Sequence, residues 1–530
     1  MDTTTMHTTR RELLGFMAGA ATLATAGAGA ARRAFAPSVA HAGEPLEADR
    51  RWLTLLATSL TDELDYEPRV EGRLPSSLRG TLYRNGPGLF ERGGHRKQHI
   101  LDGDGMVQAF RFEGGRLRYR NRFVRTEKYV EEERAGRYRN PTWTTLAPSW
   151  LDNLPGFPRK SQAGVTVAFH DGRLLAIDEA GLPYALDPAT LETAGPFRVV
   201  DEERLPGSIK AHTKTDARNG DWIVLGWSTG ASTWLDVIVR GADGRLKSQR
   251  RVKAADGGYV HDFFATERYV VVSMQALTLS PLPLLAGMKS VTESLEWRPE
   301  RGNLLMVIDK NGDAEPVVVE APASFMWHAL NAYERGGEIV ADFIGYDEPD
   351  HFIGDDPLFA AIMNGRSGNA RHPGTVRRYV IDPAAGRVNE ETIVDGNFEF
   401  PMVNPAHACR PYRLGYACIG EAGTLFHDGI ARIDTSTGAT EQFRFGDGYQ
   451  VGEPVFVPEP GASYTADAAG EHGWLLALAL DGSTRKSFLA VFDARAIAAG
   501  PVARVLLDHH TPYSFHGCWR GVGKARSLRT

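Results

Sequence analysis

Four histidines stand in contexts that could build a single metal site. His212 lies in SIKAHTKTD, His261 in YVHDFFATERYVVV, His328 in FMWHALNAYERGGEIVADF and His516 in YSFHGCW. The first three each precede a turn and a new pair of strands, and His516 comes near the C-terminus, so the four arise from separate stretches of chain. Imidazole binds zinc, copper, iron and nickel, so residue type does not name the metal. A ligating imidazole usually donates its other N–H to a carboxylate, which fixes the tautomer and raises ligand basicity. Three glutamates sit in apolar or proline-flanked strand contexts: Glu179 in LLAIDEAGLPYALD, Glu399 in NFEFPMVNP and Glu453 in VGEPVFVPEP. A buried carboxylate is costly unless paired, which makes these natural partners for metal-bound histidines. Cys518, two residues after His516, reads as a small buried residue rather than a ligand.

The elements that would carry these residues are short and β-rich, separated by Gly, Asp and Asn turns. An alternating apolar run ending in a polar turn recurs at Glu113, Asp187, Gly241, Asp309, Asp382, Asp434 and Asp493. The seven copies are 52 to 74 residues apart, more than the roughly 40 to 50 of a minimal propeller blade. An all-β fold follows, a seven-bladed β-propeller whose blades carry insertions. Four blades can then each point one imidazole at a common axial point.

The 530 residues are 42% hydrophobic and 24% charged, with net charge -6 and no basic stripe, which argues against a nucleic-acid partner. Three cysteines without a Cys-x-x-Cys pair exclude a disulfide scaffold. Arg10-Arg11 precedes an Ala/Gly-rich apolar run from Leu13 to Ala31, and Ala40-His41-Ala42 fits small-x-small cleavage. We expect a twin-arginine signal over 1–42, one propeller domain over 43–530, and export to the periplasm or beyond. Export of a folded protein would let a weakly bound metal such as iron enter before copper or zinc competes.

Over Glu67 to Trp519 the chain resembles the carotenoid cleavage dioxygenase family, through RGTLYRNGPGLFERGG, HILDGDGMVQAFRF, EAGLPYALDP, IKAHTKTD, YVHDFFATERYVVV, WHALNAYE, FEFPMVNP, GEPVFVP and SFHGCW. The resemblance implies a propeller with ferrous iron on His212, His261, His328 and His516, under a cap formed by the insertions. It implies that Glu179 supports His261, Glu399 supports His328 and Glu453 supports His516, with no carboxylate for His212. The implied reaction is cleavage of one double bond of a carotenoid or apocarotenoid by dioxygen, giving carbonyl products. Lignostilbene-cleaving relatives are the alternative; they engage a phenol through a tyrosine and a lysine. Lys128 matches the lysine, but the tyrosine position is Gln98, which favours an apolar polyene. Asp178 stands where relatives often carry an aromatic residue, implying a more polar cavity or a strand shifted by one. Residues 276–288, ALTLSPLPLLAGM, are apolar, unlike a strand and too short to span a bilayer, and suit a tunnel mouth in peripheral contact with a membrane. Arg84-Asn85-Gly86-Pro87 and Asp102-Gly103-Asp104-Gly105 read as structural turns with positive-φ glycines and capping aspartates, and the second lacks the later ligands of a calcium loop.

Overall fold

Each of the seven recurring hairpins joins the third and fourth strands of one antiparallel sheet, and seven such sheets form the ring. The computed structural model describes residues 43–154, 159–230, 232–255, 258–466 and 471–522; the expected leader, 1–42, lies outside them. The innermost strands are Thr166–His170 in blade 1, Ser208–Thr215 in blade 2, Phe264–Ala265 in blade 3 and Phe325–Arg335 in blade 4. Phe398–Val403 opens blade 5, Val455–Pro458 blade 6 and His516–Gly521 blade 7.

Sequence character follows position in the blade. Several second strands are covered on both faces and are continuous apolar runs, such as Val270, Val271 and Val272 or Leu475 to Ala479. Outermost strands keep one wet face and alternate, as Thr440–Arg444 does. Seven of the apolar clusters each bridge two neighbouring blades, so every junction of the ring has its own core.

The ends of the chain close the ring. C-terminal His516–Gly521 pairs with Gly80–Leu89, placing Asn85 opposite His516. Arg69–Gly72 adds to Ala503–Leu506 at the rim of blade 6. Because successive strands are antiparallel, connections from second to third strands and from one blade to the next emerge on one face. The described parts of the longest, 124–154 with 159–165, 275–302 and 347–374, lie on that face.

Two local expectations are corrected. Arg84 to Pro87 is no turn but the middle of Gly80–Leu89, and Gly86, Gly103 and Gly105 all lack a positive φ. Glycine is required at 105 by crowding instead: a Cβ there would stand 2.3 Å from the Ala163 carbonyl oxygen. Asp102 accepts hydrogen bonds from the hydroxyls of Thr144 and Thr145, and Asp104 pairs with Lys128, so both aspartates tie distant segments rather than cap turns. Within 276–288, Leu277–Leu279 is a strand after all, paired with Leu295–Trp297, and Pro281–Leu285 is a short helix.

Candidate metal centre

His212 lies within the innermost strand of blade 2, His261 three residues before that of blade 3, His328 within that of blade 4, and His516 begins that of blade 7. Their ligand atoms all fall within 4.8 Å of one another. The Nε2 atoms of His212 and His261 are 3.2 Å apart, and Nε2 of His328 is buried without a hydrogen-bond partner. Cys518 is not part of this group, and it is half-buried rather than buried.

The Nδ1 atoms point outward to carboxylates. His516 Nδ1 is 2.9 Å from Glu453 Oε1, His328 Nδ1 is 2.5 Å from Glu399 Oε2, and His261 Nδ1 contacts Glu179 Oε1. His212 has no carboxylate within hydrogen-bond reach among the described residues. With Nδ1 carrying the proton toward a carboxylate, Nε2 presents its lone pair to the axis. Burial holds His212 well below the ordinary imidazole range, reinforced by the other three rings, and pushes His516 down to about 4 despite Glu453. These two imidazoles are therefore neutral at pH 7, as metal ligation requires. The three carboxyls are pushed up by burial, but their cationic and imidazole neighbours outweigh it and hold them ionised.

Two of those neighbours escaped the reading of the sequence. Arg84, fully buried, donates from Nη1 to the Glu453 carbonyl at 2.9 Å and lies 3.4 Å from its Oε2. Lys210 Nζ is 3.2 Å from Glu179 Oε2. Lys210 lies two residues before His212, but the strand pairing is irregular between Ile209 and Thr213, so simple alternation does not place the two on one face.

On the face of the long connections, a narrow cavity of about 60 Å³ abuts His261, His328 and His516. Trp143, Tyr259, Trp327, Phe352, Phe359, Phe400 and Phe515 are among the residues of its wall. On the opposite face a wider axial cavity of about 1180 Å³ reaches His212, His328 and His516. Asp178 lines the apolar cavity, but its Oδ2 accepts from the amides of Gln162 at 2.6 Å and Ala163 at 3.0 Å, and its Oδ1 from Ala180 at 2.9 Å. Its charge is spent on backbone, and Glu179 next to it still reaches His261, so the strand is not shifted. Lys128 does not line the cavity; it is buried between Asp104 Oδ1 at 2.7 Å and Glu132 Oε2 at 2.8 Å. Gln98 is likewise outside the cavity wall, its amide N–H donating to Thr145 Oγ1.

Fold and site together define a seven-bladed propeller with a tetra-histidine cluster on its axis. Residues 57–521 match the family described as RPE65, retinal pigment epithelial membrane protein, and the chain belongs to that family. It is 34% identical to the apocarotenoid-15,15'-oxygenase of Synechocystis sp., over 85% of this chain and 92% of that relative. It is 29% identical to resveratrol cleavage oxygenase 1 of Aspergillus fumigatus, over 85% of this chain and 91% of that one. A solved variant of the Synechocystis apocarotenoid oxygenase superposes with a TM-score of 0.82 at 31% identity, covering 90% of this chain and 100% of its own.

Proposed function

We infer that this chain is a carotenoid cleavage dioxygenase that cuts one conjugated double bond of a carotenoid or apocarotenoid to carbonyl products. The observation that carries it is the convergence of four imidazoles beside an aromatic-walled cavity. The donor set fits a metal: four imidazoles, one with an orphaned buried Nε2, and three with Nδ1 anchored on carboxylates. His212, His261, His328 and His516 would hold ferrous iron, and bound there it supplies the activation of dioxygen.

The rest is positioning. Aromatic walls at Trp327, Phe352 and Phe400 give a polyene an apolar slot and keep water from the reacting bond. Adding both atoms of dioxygen across one carbon–carbon double bond yields two carbonyls without net gain or loss of a proton, so no acid–base pair is required. The connections 124–154, 275–302 and 347–374 act as a cap over the cavity.

A phenol would need a charged receiver in the cavity. Lys128 is committed to two carboxylates away from the wall, which supports a polyene over a hydroxystilbene. The deciding experiment incubates the iron-loaded enzyme with an apocarotenal in detergent and with a 4-hydroxystilbene, and identifies products by mass spectrometry. Aldehyde from the polyene, lost on chelation, restored by ferrous iron and largely kept in Lys128→Ala, is expected. Efficient stilbene cleavage that collapses in Lys128→Ala would replace this reading with the lignostilbene one.

Residues 1–42 serve as a twin-arginine leader that delivers the enzyme to the periplasm or beyond, a role abolished by Arg10→Lys/Arg11→Lys in a reporter fusion. Peripheral membrane contact is also proposed. Leu282, at 71% exposed, Leu285 and Met288 stand out from 276–288, and Leu151, at 70%, projects from a neighbouring segment. The two segments touch, since a Cβ on Gly287 would lie 2.9 Å from the Asn153 carbonyl oxygen. Clustered exposed apolar side chains of this kind suit a lipid surface. No helix among the described residues is long and apolar enough to cross a membrane.

A further inference from the structure

The three carboxylates behind the histidines are not equivalent. Glu453 shares its Oε2 with Arg84 at 3.4 Å, and Glu179 shares its Oε2 with Lys210 at 3.2 Å. Glu399 forms no ion pair with a lysine or arginine among the described residues. Lys210 is 5% exposed, lies 4.5 Å over the Trp227 ring and 5.5 Å over Tyr259, and lines neither axial cavity. Its partner is the carboxylate that also faces His261 Nδ1, so one carboxylate lies between the ammonium and the imidazole.

That geometry has a chemical consequence. A carboxylate makes a ligating imidazole more basic by drawing on its Nδ1 proton. A cation on the other carboxylate oxygen withdraws charge from that contact, and it also sets a positive charge close to any metal on the axis. In a water-poor interior both effects are strong. They act in the same direction, loosening a divalent cation and favouring its reduced form. We infer that Lys210 is a positioning residue that, by holding one oxygen of Glu179, limits the metal affinity of the centre and raises its redox potential. The inference rests on the four histidines being the metal ligands.

A purely structural lysine would act in the opposite sense, because its loss would strand a buried carboxylate and loosen the site. The sign of the change therefore separates the two roles. The test loads the full chain with ferrous iron under argon, measures retention against a competing chelator, and determines the ferric/ferrous potential by mediated titration. Lys210→Met and Lys210→Gln are each expected to tighten retention roughly 10-fold and to lower the potential. Lys210→Arg should keep the parent values, and in a Glu179→Gln background Lys210→Met should tighten retention by less than it does in the parent, since only the direct effect of the charge is left. Weaker or unchanged retention in the charge-free variants, or tightening of the same size without Glu179, would overturn the inference. So would failure of both charge-free variants to fold, which would assign Lys210 to structure alone. A parent chain that retains no iron, or a His328→Ala variant that retains it fully, would instead overturn the ligand set.

Discussion

Among the described residues no lysine or arginine pairs with Glu399, whose Oε2 meets His328 Nδ1 and the Phe400 amide, whereas Arg84 draws on Glu453. Glu399→Gln should therefore weaken iron retention by roughly 10- to 100-fold, and Glu453→Gln by less, measured as iron occupancy after dialysis against a chelator. Equal losses would mean that the cation behind Glu453 does not matter. Away from the centre, Lys97 is 2% exposed, 3.4 Å from Thr142 Oγ1 and 4.1 Å over the Tyr138 ring. Burial, and next the ammonium of Lys128, push it from 10.5 down to about 8. Between those values the unfolded chain binds more protons than the folded one, so this group's contribution to stability rises with pH across that window. Below about 8 the cost of its burial is present in full. Lys97→Met should raise Tm at pH 7, corresponding to about 1 kcal/mol or more, with the gain shrinking by pH 10 in thermal melts. Single residues were legible where their chemistry is unusual for their context, as with the glutamates among apolar strands. Arg84 was not, because a guanidinium that works as a buried prop looks like any strand-end charge until its partners are known.

Among the elements, the outer hairpins were the readable part. Each ends at the rim, where a solvent-exposed turn takes Asp, Gly or Ser, and that punctuation survives in the sequence as seven similar phrases. Inner strands offer no such mark. Phe264–Ala265 spans only two residues, and Val455–Pro458 is flanked by prolines, so neither forms a period long enough to read. The segment 276–288 was legible as apolar but not as a strand and helix, since Leu277–Leu279 depends on a partner strand beyond the helix. Its exposed side is the element-scale prediction. Leu282→Asp combined with Leu151→Asp removes two projecting apolar groups without touching the cavity wall. Cosedimentation with liposomes should fall at least about 5-fold, while turnover of detergent-solubilised apocarotenal stays near the parent value. Binding that persists would place the lipid contact elsewhere.

At the scale of the whole ring, closure was invisible in the sequence because it joins residues more than 400 positions apart, Asn85 against His516. Once closed, each blade junction has its own apolar cluster, so the fold stands on packing and strand pairing rather than on an ion. A metal held by blades 2, 3, 4 and 7 adds a cross-link to a ring already formed. Removing it should leave β-content unchanged by circular dichroism and lower Tm by a few degrees, since a ligand at one hundred times its Kd stabilises by roughly 2.7 kcal/mol. Two variants separate cross-link from closure. His516→Ala keeps the pairing of Gly80–Leu89 with His516–Gly521 but removes one ligand; its Tm without metal should stay near that of the metal-free parent, and the rise on adding iron should vanish. Ending the chain at Phe515 removes the ligand and the closing strand together. It exposes the ladder of Gly80–Leu89 and one face of the core between blades 6 and 7, which holds Leu82, Phe110 and Phe112 against Val455 and Leu476. That chain should melt less sharply than the parent and aggregate through its open edge. A truncated chain that melts as sharply as His516→Ala would show that the ring is held by its other six junctions, and that the C-terminal strand serves only to deliver the histidine.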